Sequence, residues 1–130
     1  MEEPPDNAPV VRLGKQSRFV EAAIRDAELA LQDEGRADIS VFSAAPEPQE
    51  SETQVIHRIC QASATQYKAK WFRVSRADLL RAEGFRPRQD DPELEAHPYH
   101  FNIDIGEPTA EAAERLLSLF GQETRNQAWK

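Results

Sequence analysis

The sequence predicts an α/β fold, with α+β as the alternative, in which a small sheet is covered by about four helices. Strand-like and helix-like patterns alternate along the chain, and this alternation favours strands joined by helical crossovers. None of the strands is the continuous apolar run expected when both faces of a sheet are buried. We therefore expect a two-layer sandwich, with a mixed sheet of three or four strands, helices mainly on one face and the other face open.

The chain is expected to form one domain between two less ordered ends. Its 130 residues are enough for a single core. Residues 1–9 hold three acids and three prolines and almost nothing apolar, so they are predicted to be a disordered lead. The domain is predicted over residues 10–121, and residues 122–130 form a polar tail in which only Trp129 is suited to packing.

The first half of the domain is predicted to contain two strands and two helices. A short strand is expected at residues 9–13, and residues 38–43 alternate in the way typical of a strand. Between them a helix is predicted over about residues 17–34, capped by Ser17. Its apolar positions, at helical spacing, are Val20, Ile24, Ala27 and Leu31. Ser51 and Gln54 form a capping-box pattern that predicts the start of the second helix.

The second half begins with a basic, aromatic segment at Tyr67–Val74, which is predicted to be a strand although its alternation changes phase. A short helix follows, and Gly84 ends it so that Phe85 can contact Leu80, as in a Schellman motif. The segment Arg86–Pro98 contains three prolines and is predicted to be a long loop.

The clearest strand pattern in the chain is Tyr99–Ile105. Aromatic and aliphatic side chains alternate there with His100, Asn102 and Asp104, so one face is predicted to be core and the other polar. A last helix is predicted from Pro108 or Thr109 to Gly121.

The composition limits the classes of function. A net charge of −7 argues against generic affinity for nucleic acids. No apolar run approaches the length of a membrane-spanning helix, so no membrane partner is expected. Cys60 is the only cysteine and lies on a predicted apolar helix face, where a buried thiol is the usual interpretation. A cytoplasmic location is therefore expected.

The charge is nevertheless uneven. Residues 68–88 hold seven basic residues and two acids, a charge of +5 against −12 for the rest of the chain. Cations beside aromatic side chains are typical of sites that bind phosphates and stack on bases. The candidate binding residues of this segment are Lys68, Lys70, Trp71, Arg73, Arg86 and Arg88. Against this interpretation, the acidic residues 90–95 can fold back and neutralise the segment.

The histidines offer two further interpretations. His97, His100 and Asp104 have metal-binding side chains, but residues 100 and 104 of one strand lie about 13 Å apart, so no metal site and no cofactor are predicted. His100 is a candidate general acid or base because imidazole titrates near neutral pH. A phosphoryl-type site would form if the strand at Tyr67–Val74 paired with Tyr99–Ile105 and brought Lys70 and Arg73 to it.

The sequence therefore leads to two functional hypotheses. The first is a small acidic protein-binding module, such as an adaptor, regulator or antitoxin-like inhibitor, in which acidic side chains steer a basic partner protein. Its contact surface would be the open sheet face, with His97, Asn102 and Asp104, and the loop 86–98. The alternative is an enzyme or binding protein for a phosphate-bearing substrate, a nucleotide or nucleic acid, that uses residues 68–88 and His100. Glycine-rich phosphate motifs and a nucleophile elbow are absent.

Overall fold

The computed structural model describes residues 3–15, 18–89 and 97–128. They form five strands and four helices on a single sheet. In chain order the elements are β1 (Pro9–Gly14), α1 (Phe19–Glu34), β2 (Asp38–Ser43), α2 (Glu52–Tyr67), β3 (Trp71–Arg76), α3 (Ala77–Ala82), β4 (His100–Asp104), α4 (Ala110–Leu117) and β5 (Thr124–Arg125).

The sheet has the strand order β4-β2-β1-β3-β5, and every neighbouring pair is antiparallel. The prediction of an α/β protein with about four helices is confirmed in this coarse form. The predictions of a mixed sheet and of three or four strands were wrong. The fifth strand is only two residues long, Thr124 and Arg125, and lies in the segment predicted to be a tail, where no alternation can reveal it.

Helices pack on both faces of the sheet, so the face that was expected to be open is partly covered. Helices α1, α3 and α4 pack on one face around a large apolar cluster that includes Phe19, Leu80 and Leu116. Helix α2 packs on the other face through Val55 and Ile59. The neighbouring side chains of β1 point to opposite faces, which allows this one strand to contribute to both clusters.

Two of the predicted helix-end motifs are present with the hydrogen bonds expected of them. Ser51 Oγ accepts a bond from the N–H of Gln54 at 3.2 Å, and the Gln54 side chain accepts one from the N–H of Ser51 at 2.8 Å, which completes the capping box. Gly84 has φ +88°, and the N–H groups of Gly84 and Phe85 bond to Arg81 O and Leu80 O. This is the expected Schellman motif. Ser17, the predicted cap of α1, lies outside the described residues.

The predicted strand at Tyr67–Val74 was placed too early. Helix α2 continues to Tyr67, Lys68 has φ +26°, and β3 begins only at Trp71. The change of phase in the sequence therefore marks the end of a helix and a turn before the strand, not a bulge within it.

Both ends of the chain contact the domain where they are described. Glu3 and Asp6 pair with Arg81 on α3, and Ala8 O accepts a bond from the N–H of Ala77. At the other end, Asn126 is buried and donates a side-chain bond to Ala69 O at 2.8 Å. Residues 3–8 therefore lie against α3, and the disordered lead expected over residues 1–9 stays a prediction. Trp129 lies outside the described residues.

Candidate functional site

The polar side chains predicted on the strand at Tyr99–Ile105 lie on one face of β4, towards the side occupied by α2. His100 and Asn102 are half-buried and Asp104 is exposed, so none of them lies in packed core. Asp38 is directly opposite Asp104 in the register, and Ser40 is opposite Asn102. His100 Nε2 and Ser40 Oγ lie 2.9 Å apart.

The structure does not bring together the residues of the expected phosphoryl-type site. Strands β3 and β4 are separated by β1 and β2, so they lie roughly 14 Å apart, three spacings of about 4.8 Å. The condition for the site was that these two strands pair. Lys70 and Arg73 therefore do not join His100, and a site built from all three is not formed.

Arg73 is a structural residue in this fold. Its Nε donates to Gly121 O at 2.8 Å, and its Nη2 donates to Leu117 O at 3.1 Å and Phe120 O at 3.3 Å. These carbonyls follow or end α4, where helical C=O groups lack partners within the helix. The guanidinium thus caps α4 and holds it against β3.

Two other arginines of the basic segment form ion pairs with carboxylates. Arg86 pairs with Glu3 at 2.9 Å, and Arg88 pairs with Asp38 at 3.2 Å. Trp71 is half-buried beneath the guanidinium of Arg125. Only Lys68 and Lys70 are exposed without an ion pair to a described residue. The acidic loop residues 90–95, expected to neutralise this segment, lie outside the described residues, so that expectation stays a prediction. Among the described residues, Glu3 and Asp38 contact Arg86 and Arg88.

His97, predicted as a binding residue, is only 3% exposed. Its Nδ1 accepts a bond from the N–H of Tyr99 at 3.1 Å, and its Nε2 lies 3.1 Å from Ser63 Oγ. Since Ser63 Oγ donates to Ile59 O, the imidazole carries its proton on Nε2 and donates to Ser63. The rings of Phe42, Tyr67 and Tyr99 surround it. His97 therefore anchors its segment beneath α2.

A cavity that sequence reasoning missed lies elsewhere, between β1 and α1. Strands β1 and β2 pair at only two positions, Val10 with Ser43 and Val11 with Phe42, whereas β1 pairs with β3 along all six residues. Where the pairing of β1 and β2 ends, a cavity of about 640 Å³ opens. We call it the β1–α1 cavity.

Arg12 is the buried cation that lines the β1–α1 cavity. It is 4% exposed, and its Nη1 donates to Ser40 O at 2.8 Å, so it takes the place of the missing strand pairing. Its Nη2 donates to Asp26 at 2.7 Å. Its Nε–H is buried and has no hydrogen-bond partner in the described part of the chain. A buried N–H without an acceptor is rare in folded proteins. Ser75 Oγ on β3 is likewise buried without a hydrogen-bond partner among the described residues, so the Arg12 N–H is informative only together with the charged cavity beside it.

The lining of the cavity is positive, although the chain as a whole has a charge of −7. Four cations and two carboxylates line it, a net charge of +2: Arg12, Lys15, Arg18 and Arg25, with Glu21 and Asp26. Lys15, Arg18 and Arg25 are exposed and make no ion pair with a described residue. Arg18 is the N-cap residue of α1 and Glu21 lies in its first turn, where the helix dipole also favours an anion. The N-cap residue, Arg18, makes no side-chain capping bond.

The floor of the cavity is apolar and aromatic. Leu13, Phe42 and Tyr67 line it together with two alanines. A signal for this site was present in the sequence, since Arg12 interrupts the apolar segment from Val10 to Leu13. Its importance depends on the separation of β1 from β2, which is not a local property of either strand.

Other chemistry is limited within the described residues. They contain no group of three or more histidine, cysteine, aspartate or glutamate side chains suited to holding a metal ion. Burial raises the pKa of the Cys60 thiol to about 11, so it is protonated at neutral pH. No helix in the described ranges has the length and apolar character needed to cross a membrane.

Comparisons with known proteins found no relative: no protein-family model, no curated protein and no solved structure matches this chain.

Proposed function

We propose that this chain is a binding protein for a small organic anion, a molecule with a phosphate or carboxylate group attached to an apolar or planar body. The observation that carries the proposal is Arg12, a buried guanidinium with an unsatisfied Nε–H on the wall of a positively charged cavity. An unsatisfied buried donor costs about 1–3 kcal/mol, so a ligand that supplies an acceptor recovers free energy on binding.

The size and lining of the β1–α1 cavity support the same ligand class. Its volume of about 640 Å³ is in the range typical of sites for small molecules and cofactors. Its cations suit the anionic group, while Leu13, Phe42 and Tyr67 offer apolar contact to the rest of the ligand. The cavity thus combines a charged end with an apolar wall.

This proposal retains the phosphate-bearing ligand of the alternative hypothesis but moves its site from residues 68–88 to the β1–α1 cavity. The arginines of that segment have partners already, and the cavity cations Lys15, Arg18 and Arg25 have none among the described residues. The protein-binding hypothesis stays a prediction: α2 packs on the sheet face that was expected to be open, and residues 90–96 of the loop lie outside the described residues.

Isothermal titration calorimetry with adenosine 5′-monophosphate tests the proposal, with adenosine as the neutral match. We expect the monophosphate to bind and adenosine to bind at least tenfold more weakly, because a charge-assisted bond contributes about 1.5 kcal/mol or more. Phenyl phosphate and phenylacetate then distinguish phosphate from carboxylate recognition.

Two charge variants locate the site. Arg25→Ala removes an exposed cavity cation and should weaken binding of the monophosphate about tenfold, with little change in stability. Lys70→Ala removes an exposed cation of the basic segment and should leave the affinity unchanged. Loss of binding in Lys70→Ala with full affinity in Arg25→Ala would contradict the proposal, as would equal affinity for adenosine and its monophosphate.

A further inference from the structure

We infer that Asp26 occupies the place of the ligand's anionic group, so that a ligand enters the β1–α1 cavity by displacing the Asp26 carboxylate from Arg12. This inference rests on the proposed function and specifies how the site is filled. It assigns Asp26 the role of an internal competitor, and it defines the ligand group as an oxyanion with two oxygens free to bond to one guanidinium.

The geometry of the Arg12 guanidinium supports the exchange. Its Nε–H and one Nη2–H point the same way and match two oxygens of a carboxylate or phosphate. Asp26 accepts only at Nη2, at 2.7 Å, and Nε has no partner within the described residues. The present ion pair therefore uses half of an edge that a suitably placed oxyanion would use completely.

The two partners of this ion pair are held very differently. The side chain of Arg12 is 5% exposed, and its Nη1 is bound to Ser40 O in the gap between β1 and β2. The side chain of Asp26 is 44% exposed. Moving the buried guanidinium out of its position would leave a void in the protein and break its anchoring bond. The half-exposed carboxylate, in contrast, rotates into water at little cost. Asp26 is therefore the partner that moves.

The surroundings keep the exchange favourable for an anion. When Asp26 leaves Nη2, the deep part of the cavity retains the positive charge of Arg12, with Lys15, Arg18 and Arg25 at its lining. A neutral ligand cannot replace the lost charge of Asp26 beside a buried guanidinium. The same exchange that admits an anion thus rejects a neutral molecule of equal shape, which gives the site its selectivity.

The variant Asp26→Asn tests the inference against a matched control. It should bind adenosine 5′-monophosphate about tenfold more tightly than the wild type, because the amide is a weaker competitor for Arg12. Glu21→Gln removes the same charge from another cavity-lining carboxylate that is not a hydrogen-bond partner of Arg12, and general electrostatics should raise its affinity only about twofold. Equal gains in the two variants, or weaker binding in Asp26→Asn, would overturn the inference while leaving the proposed function intact.

A second measurement uses the wild-type protein and so does not depend on a variant that folds. The ¹⁵Nε–Hε resonance of Arg12 should shift and exchange more slowly with water when the monophosphate is added, because Nε gains an acceptor. The Nε–H groups of Arg58 and Arg73 already bond to Glu50 and Gly121 O and should not change. An unchanged Arg12 resonance in the bound protein overturns the exchange. If the monophosphate binds neither the wild type nor either of the two variants, Asp26→Asn and Glu21→Gln, the proposed function is overturned and the inference with it.

Discussion

The basic segment around β3 and α3 contains seven cations and the β1–α1 cavity four, and the two regions use them in different ways. In the basic segment Arg73 caps α4, and Arg81, Arg86 and Arg88 pair with carboxylates from distant parts of the chain. Around the cavity the exposed cations make no such pairs with described residues, and Arg12 retains an unsatisfied N–H. The fold thus already uses most cations of the basic segment, whereas the proposed site combines Arg12 with exposed cations that pair with no described residue.

The largest expected effect on stability comes from Arg73, on the structural side of this comparison. Arg73→Ala should lower the free energy of unfolding by about 3 kcal/mol, because it leaves the carbonyls at the end of α4 without their donor. Urea denaturation measures the loss, and the affinity for adenosine 5′-monophosphate should be unchanged. Unaltered stability would show that the guanidinium is not a cap, and loss of ligand affinity would place it in a site.

His97 and His100 also differ in how much the fold depends on them. His97→Ala should cost about 2 kcal/mol, because it removes the bonds to Ser63 and the Tyr99 N–H and leaves a void among three aromatic rings. His100→Ala, at a half-buried position, should cost less than half as much in the same urea titration. The reverse order would contradict the description of His97 as the anchor of its segment.

A smaller effect is expected at Gly84. Its φ of +88° strains any residue with a Cβ, although no atom lies within 4 Å of the position that a Cβ would take. Gly84→Ala should therefore lower stability by about 1 kcal/mol through backbone strain alone. Gly121→Ala is the matched control, since Gly121 does not have positive φ and an added Cβ would make only ordinary contact with Val74 O at 3.5 Å. Equal losses in thermal denaturation would argue against the Schellman turn.

The smallest effect is a change in pH dependence. Bonds from Arg58 and from the N–H of Glu47 lower the pKa of Glu50 below its ordinary value. A carboxylate with a lowered folded-state pKa stabilises the protein above the unfolded pKa, roughly 4.3, and the contribution is lost as the pH falls through the folded-state pKa. Stability should consequently fall less steeply with acidification in Glu50→Gln than in the wild type. Identical slopes in urea titrations below about pH 5 would contradict this ion pair.

Much of the secondary structure follows from local chemistry and could be predicted. The Ser51 and Gln54 caps, the Gly84 turn and the alternation in β2 and β4 all depend on residues within a few positions of one another. The strand order depends on which distant segments pair, and that choice is made by the packing of all helices together. This is why the pairing of β3 with β4 was assumed in one hypothesis and is absent from the sheet.

The candidate site could not be predicted for the same reason. Arg12 is one polar residue in a short strand, and its neighbours in sequence do not reveal that β2 separates from β1 beside it. Asp26 and Ser40, its two partners, come from α1 and β2, at separations of 14 and 28 residues along the chain. The basic segment was conspicuous because seven basic residues lie within residues 68–88. The charged residues of the cavity also lie close together in sequence, within residues 12–26, but Ser40, Phe42, Tyr67 and Ala69 come from distant segments that meet them only in the folded protein.

Chemical-shift mapping tests the central claim most directly. On titration of the ¹⁵N-labelled protein with adenosine 5′-monophosphate, we predict that the backbone amide resonances of Leu13, Ala22, Ser40 and Ala69, which line the β1–α1 cavity, shift most. Shifts concentrated instead at Lys68, Lys70 and His100, or the absence of any saturable shift, would contradict the assignment of the cavity as the binding site.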